Sequence, residues 1–273
     1  MKKLNKSSLL LLCAGSLLGS AASAQIVADF NTPGQLASDF TKVGSGSLNE
    51  VTSGGLDNTG AVVPSEDGND VRYYGNYSQA GNLDFSVSTY FQYETKSTDS
   101  RSLTIGFGTT NSQILPFGGN MPVGEAGAYV SLEGRNGDGT TNRLKLFYGN
   151  DGGGMTGKNG STFSLVDSNW YFLELTGTYN SGDDTFDLES EIYNSDSIGN
   201  IGSFIDNRPQ NGVDLSAFSA SSDVYGFMGV PGDSGAGVAV VDNFTPVPEP
   251  ATGAALLGAA AIMMVCFRRR ARR

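Results

Sequence analysis

The chain has 273 residues, of which 17 are Lys or Arg, 28 are Asp or Glu and none is His. Without histidine there is no imidazole nucleophile, general base or zinc ligand, and a formal charge of −11 leaves no basic surface for nucleic acid. Thirty-eight glycines with only 16% charged residues suit a sheet protein with many turns and disfavour a helix bundle. At the N-terminus Met1-Lys2-Lys3 and Lys6 precede an apolar run from Leu9 to Leu18, followed by Ala22-Ser23-Ala24. A charged start, an apolar stretch and a small-x-small site predict a secretory signal over residues 1–24, cut between Ala24 and Gln25. Cys13 lies inside the apolar run behind three leucines, which does not suit a lipoprotein site.

The segment after the leader reads with period two almost throughout. Phe85, Val87, Phe91 and Tyr93 alternate with Ser86, Ser88, Gln92 and Glu94, and Leu83 is placed on the same apolar face. Leu103, Ile105 and Phe107 repeat the pattern, as do Ala128, Val130 and Leu132, then Leu144 and Leu146, then Phe186, Leu188 and Ile192, and lastly Val238 and Val240. Such runs predict half-buried strands. Turn clusters at Gly134–Thr141, Gly152–Gly154 and Asn180–Asp184 separate them. One short helical turn is expected within Val213–Phe218, and no internal repeat points to a propeller or solenoid. About a dozen strands in this length pack as two antiparallel sheets with their apolar faces inward.

Ala28-Asp29-Phe30-Asn31 opens this region, Trp170-Tyr171-Phe172-Leu173 starts a long strand, and Val240-Val241-Asp242-Asn243-Phe244 closes it. In that order the segments resemble a concanavalin-like or laminin-G-like jelly roll. The fold expected for residues 25–245 is therefore an all-β, two-sheet antiparallel jelly-roll sandwich.

The C-terminal region, 246–273, has three parts. Val247-Pro248-Glu249-Pro250 comes first, then an apolar run over 251–267, then Arg268, Arg269, Arg270, Arg272 and Arg273. Seventeen residues of helix rise about 25 Å, the short end of a transmembrane span, and the arginines hold that end in the cytoplasm. Proline restricts its predecessor to extended backbone, so a helix starts no earlier than Pro250. These three parts together resemble the PEP-CTERM sorting signal of bacterial exported proteins. The resemblance covers about the last 27 residues and implies an exosortase-type membrane protease as partner. It also implies anchoring by the transmembrane helix until processing, then a place at the cell surface or in an exopolysaccharide or biofilm matrix.

Removing three lysines with the leader, and five arginines and one glutamate with the tail, leaves nine basic and 27 acidic residues, a net charge near −18. Cys13 and Cys266 both lie in the end segments, so the exported part has no disulfide and relies on core packing. Asp29 and Asp242 sit on the first and last strands, which lie side by side in jelly rolls. This pairing predicts a structural Ca²⁺ held by carboxylate and backbone oxygens, with strand-end turns as the plainer explanation; no cofactor is otherwise required. Asp67–Asp70 and Asn136–Asp138 suit turns equally well. Tyr73, Tyr74 and Tyr77 form a candidate glycan platform, although Tyr73 and Tyr74 must face opposite sides of a strand. Asp187, Glu189 and Glu191 share one strand face but lack the Glu-x-Asp-x-x-Glu order of laminarinase-like hydrolases. No catalytic residue is assigned. The preferred expectation is a non-catalytic surface or matrix protein. The alternatives are a carbohydrate-binding module and a secreted glycoside hydrolase, which needs two carboxylates flanking a glycosidic bond.

Overall fold

The structure is a computed structural model, and it describes residues 28–64, 70–76, 78–81, 83–95, 101–116, 119–135, 141–230 and 238–248. The signal residues Ala22, Ala24 and Gln25, the tail from Glu249 and Pro250 to the final arginines, and Tyr77 lie outside these. Among the described residues no helix is long and apolar enough to cross a membrane; the span expected over 251–267 lies outside them.

Fourteen strands alternate with short connections. They are β1 (Phe40–Gly44), β2 (Leu48–Val51), β3 (Ala61–Pro64), β4 (Val71–Gly75), β5 (Phe85–Tyr93), β6 (Arg101–Gly108) and β7 (Ala126–Arg135). The second half adds β8 (Thr141–Asn150), β9 (Thr156–Ser164), β10 (Trp170–Asn180), β11 (Thr185–Ser195), β12 (Ile201–Asp214), β13 (Tyr225–Val230) and β14 (Val238–Pro248). Helix α1 (Gln35–Asp39), a 3-10 turn (Leu56–Asn58) and the single turn α2 (Ser216–Ser219) complete the described elements. The last falls where the sequence predicts one.

The strands form two seven-stranded antiparallel sheets. The first runs β1-β4-β13-β6-β7-β8-β9 and the second β12-β11-β10-β5-β14-β3-β2. Their inner faces share one core, in which Phe85, Val87 and Phe91 of β5 meet Leu103, Ile105 and Phe107 of β6, with Leu173 and Leu175 of β10 alongside. Alternation of apolar and polar residues dictates this, because successive side chains leave a strand on opposite faces. Leu83 departs from the expectation: it lies ahead of β5 and is exposed.

Strands β9 and β12 were not expected from the sequence. Thr156–Ser164 and Ile201–Asp214 are polar and do not alternate, and β12 carries Pro209. Both are sheet edges, where one side faces solvent and neither full burial nor every ladder hydrogen bond is required.

The outer face of the first sheet is not bare. Tyr74, Tyr129, Phe147 and Phe227 project from it and are covered by Leu115 and Met121 of the β6–β7 connection. Tyr74 donates its hydroxyl to Gln113 O at 2.8 Å, and Tyr129 donates to Pro116 O. Gly127 leaves room for this cover: a Cβ there would stand 2.4 Å from Leu115 Cδ1.

Charge is segregated between the sheets. Strands of the first sheet contain seven Lys or Arg and one carboxylate, Glu133, whereas strands of the second contain eight carboxylates and one cation, Arg208. The chain ends of this unit meet: Ala28 and Phe244 exchange backbone hydrogen bonds of 2.9 and 3.0 Å. β14 continues through Pro246, Val247 and Pro248, opposite Val87, Ser86 and Phe85 of β5. The sandwich thus extends past the expected boundary at residue 245. The prolines are accommodated because β14 pairs with β3 only at Val241, so that edge of the strand is not laddered beyond it.

Candidate functional site

The Ala28–Phe244 bridge brings Asp29 beside Asp242. The Asp242 side chain is fully buried, with Oδ2 accepting from Leu56 N at 2.8 Å and Oδ1 from its neighbour Asn243 N at 2.7 Å. Burial pushes this carboxyl up to about 6, and the nearby Asp29 charge adds to the rise against the lowering effect of the two backbone N–H groups. Asp29 accepts from Asn31 N at 3.2 Å. Oxygens converge here: an added Cβ on Gly55 would lie within 3.0 Å of Gly60 O, Asp242 Oδ2 and Thr59 O. Backbone at positive φ marks the same junction at Phe30 (50°), Asp57 (52°) and Asn243 (47°), a conformation that non-glycine residues adopt only at some cost. Two carboxylates with surrounding carbonyl oxygens are the donor type a hard cation takes. Among the described residues no group of three or more His, Cys, Asp or Glu is placed to hold a metal.

The glycan platform expected at Tyr73 and Tyr74 is corrected. The two do face opposite sides, but both are buried. Tyr73 is in the shared core and accepts a hydrogen bond from Leu48 N at 3.2 Å. Tyr74 is under the β6–β7 connection, and burial pushes its phenol up to about 12. Neither offers a ring face to solvent. On the same outer face Glu133 engages Arg143 at 2.7 Å and Lys145 at 3.8 Å.

The outer face of the second sheet is different. Phe172 of β10 stands directly opposite Tyr90 of β5 and Tyr193 of β11, and Tyr193 opposite Phe204 of β12. Four aromatic side chains from four adjacent strands therefore form one row across the sheet. Successive ring centroids are 4.9, 6.3 and 5.6 Å apart, tilted or edge-on. Such contacts are favourable beyond the area they bury. Exposure rises toward the β12 end, from 9% at Phe172 to 52% at Phe204. The Tyr90 end is fastened, because its hydroxyl donates to Gly199 O at 2.9 Å. Trp170 is buried, but it and Phe172 belong to this outer face.

Beside the aromatic row, one side-chain repeat along the strands, runs a polar row in register: Ser88, Glu174, Glu191 and Asn207. Glu189 follows on β11. Ser86 Oγ donates to Glu174 Oε1 and Asn207 Nδ2 to Glu189 Oε1, both at 2.8 Å. Glu189 and Glu191 were singled out in sequence as sharing one strand face with Asp187. Glu174 and the aromatic row were not, because their members come from strands up to 114 positions apart and meet only through the β12-β11-β10-β5 order. Asp187 is drawn off to the β12 end, accepting from Gly212 N at 2.8 Å.

No known family and no curated protein matches the chain. Solved structures do. A legume lectin-like domain from Entamoeba histolytica shares 9% identity over 85% of this chain and 100% of its own, with a TM-score of 0.55. The lectin UEA-II, solved in complex with galactose, shares 13% over 82% and 98% at 0.51. A carbohydrate esterase from the Shiga toxin-encoding bacteriophage phi24B shares 12% over 82% and 97%, also at 0.51. At these identities the likeness is one of fold. The class defined is a lectin-like, concanavalin-like jelly-roll sandwich, as the resemblance of the opening, Trp170 and closing segments implied.

Proposed function

We propose that this chain is an exported, non-catalytic protein of the cell surface or extracellular matrix that binds polysaccharide on the outer face of its second sheet. The observation that carries the reading is the register-matched row Tyr90–Phe172–Tyr193–Phe204, in which Phe172 is buried and Phe204 is exposed, beside the glutamates Glu174, Glu189 and Glu191. Aromatic rings stack on the C–H faces of sugars, and carboxylates accept hydrogen bonds from hydroxyls, so the two rows together supply both contacts a pyranose makes. Structural neighbours named as a lectin with bound galactose and as a carbohydrate esterase support a carbohydrate ligand. Export rests on the Ala22–Ala24 site. Sorting by an exosortase-type protease rests on Val247-Pro248-Glu249-Pro250, the apolar run and the terminal arginines. A Ca²⁺ at Asp29 and Asp242 belongs to the same proposal, as a clamp between β14 and the segment that precedes β1; Asp29 itself lies on no strand, contrary to the expectation from the sequence.

The test is a glycan array probed with residues 25–248, which form one compact unit with their own core. Binding to polysaccharide probes that is lost in Phe204→Ala supports the reading; an array without signal refutes it. A glycoside hydrolase is the second reading, favoured by Glu174 standing opposite Glu191. Directly opposite residues have Cβ atoms about 5 Å apart, near the carboxylate spacing of retaining glycosidases. Release of reducing ends from a bound glycan, abolished in Glu174→Gln, would establish it.

A further inference from the structure

We infer that the polysaccharide accepted by this face carries protonated amino groups; the inference rests on the carbohydrate reading of the face and adds the ligand's charge. It starts from the segregation of charge. Eight carboxylates lie on strands of the second sheet against one cation, and that cation, Arg208, acts on Asp206 of its own strand and on Tyr148 of the first sheet, across the sandwich, rather than on the outer-face glutamates. Glu174, Glu189 and Glu191 stand on the outer face beside the rings, and hydrogen bonds from Ser86 and Asn207 fix Glu174 and Glu189 in position.

The geometry then selects among sugars. Neighbouring rows on one strand face are about 7 Å apart. A pyranose stacked on the aromatic row directs its equatorial substituents sideways from the ring edge, over the carboxylate row, and not down onto the rings. An ammonium there makes charge-assisted hydrogen bonds to fixed carboxylates, which are stronger than neutral ones. A hydroxyl or acetamido group makes only neutral-donor contacts. A uronate or sulfate is repelled, both by this row and by a net charge near −18 on the exported part. Charge complementarity thus points to a chain of amino sugars with free amines.

Residues 25–248 are titrated calorimetrically with glucosamine hexamer, N-acetylglucosamine hexamer, cellohexaose and galacturonic acid hexamer. Glucosamine hexamer is expected to bind about tenfold or more tightly than the two neutral oligomers, and the preference to shrink with added salt. Glu189→Gln with Glu191→Gln should bring the glucosamine oligomer down to the level of the neutral ones, while Phe204→Ala weakens all of them. Asp39→Asn with Asp151→Asn removes two carboxylates elsewhere and should leave the preference intact. If that control weakens binding as much as the Glu189/Glu191 pair, the attraction is that of any polyanion and the inference fails. Neutral or acidic oligomers binding as tightly as the amine also overturn it while leaving the carbohydrate reading standing. Absence of binding by all four overturns both.

Discussion

At the scale of single residues, burial decides which groups are structural and which are available. Tyr74 is the clearest structural case. Its unfolded phenol ionises near the ordinary value of 10.0, whereas burial delays ionisation in the fold to about 12. Between these values the folded chain holds the extra proton. The stabilisation is complete below pH 10 and is lost as pH rises through 12, an upper range of about 3 kcal/mol for a shift of about two units. Urea unfolding between pH 9 and 12 should therefore show a fall in stability that is smaller in Tyr74→Phe by roughly that amount. Parallel curves would place the phenol in water. Gly55 is a second case. Backbone Gly60 O would be 2.4 Å and Asp242 Oδ2 2.6 Å from any Cβ there, and neither can retreat without breaking the junction. Gly55→Ala is expected to cost about 1–3 kcal/mol in chemical denaturation. Phe204, at 52% exposure, should behave in the opposite way: Phe204→Ala leaves the melting temperature within about 2 °C, since exposed sites outside special features contribute little.

At the scale of elements, β14 ties the ends of the unit to its middle. It lies against β5 along nearly its whole length and receives Ala28 opposite Phe244. Ending the chain at Thr245 would leave the backbone of Val87, Ser86 and Phe85 without its β14 neighbours. A fragment ending at Thr245 should melt about 2–8 °C below one ending at Pro248, on the basis of roughly 1–2 kcal/mol lost and 2–4 °C per kcal/mol for a domain of this size. Equal melting temperatures would mean that the last three residues contribute nothing to the sheet. The edge strands carry a different lesson. β9 and β12 escape sequence reading because they are polar, yet β12 supplies Phe204 and Asn207 to the candidate face.

At the scale of the whole molecule, the described sandwich holds no disulfide, and the Ala28–Asp29 segment ahead of β1 meets β14 beside a buried carboxylate. A cation held by Asp29 and Asp242 would stabilise only the folded state, by about 2.7 kcal/mol at a concentration 100 times its Kd. Adding calcium to chelated protein is then expected to raise the melting temperature by about 5–10 °C, and Asp29→Asn should abolish most of that response. Identical melting in calcium and in EDTA would refute the clamp.

The sequence by itself determined the all-β class and the inward face of each central strand, because side chains alternate along a strand. The nearness of Asp29 to Asp242 was implied only by the resemblance to a jelly roll. The sequence also carried the two end segments as patterns of charge and hydropathy. Only the tertiary structure decided which outer face is covered and which is open. Tyr73 and Tyr74 looked like a platform because nothing in Arg72–Tyr77 shows that a connection forty residues later folds over the first sheet. Glu174 and the row Tyr90–Phe172–Tyr193–Phe204 were invisible for the converse reason. Each residue is an ordinary member of its own strand, and the row exists only because strand order and register bring four distant segments together, information that resides in long-range pairing and not in any local stretch of chain.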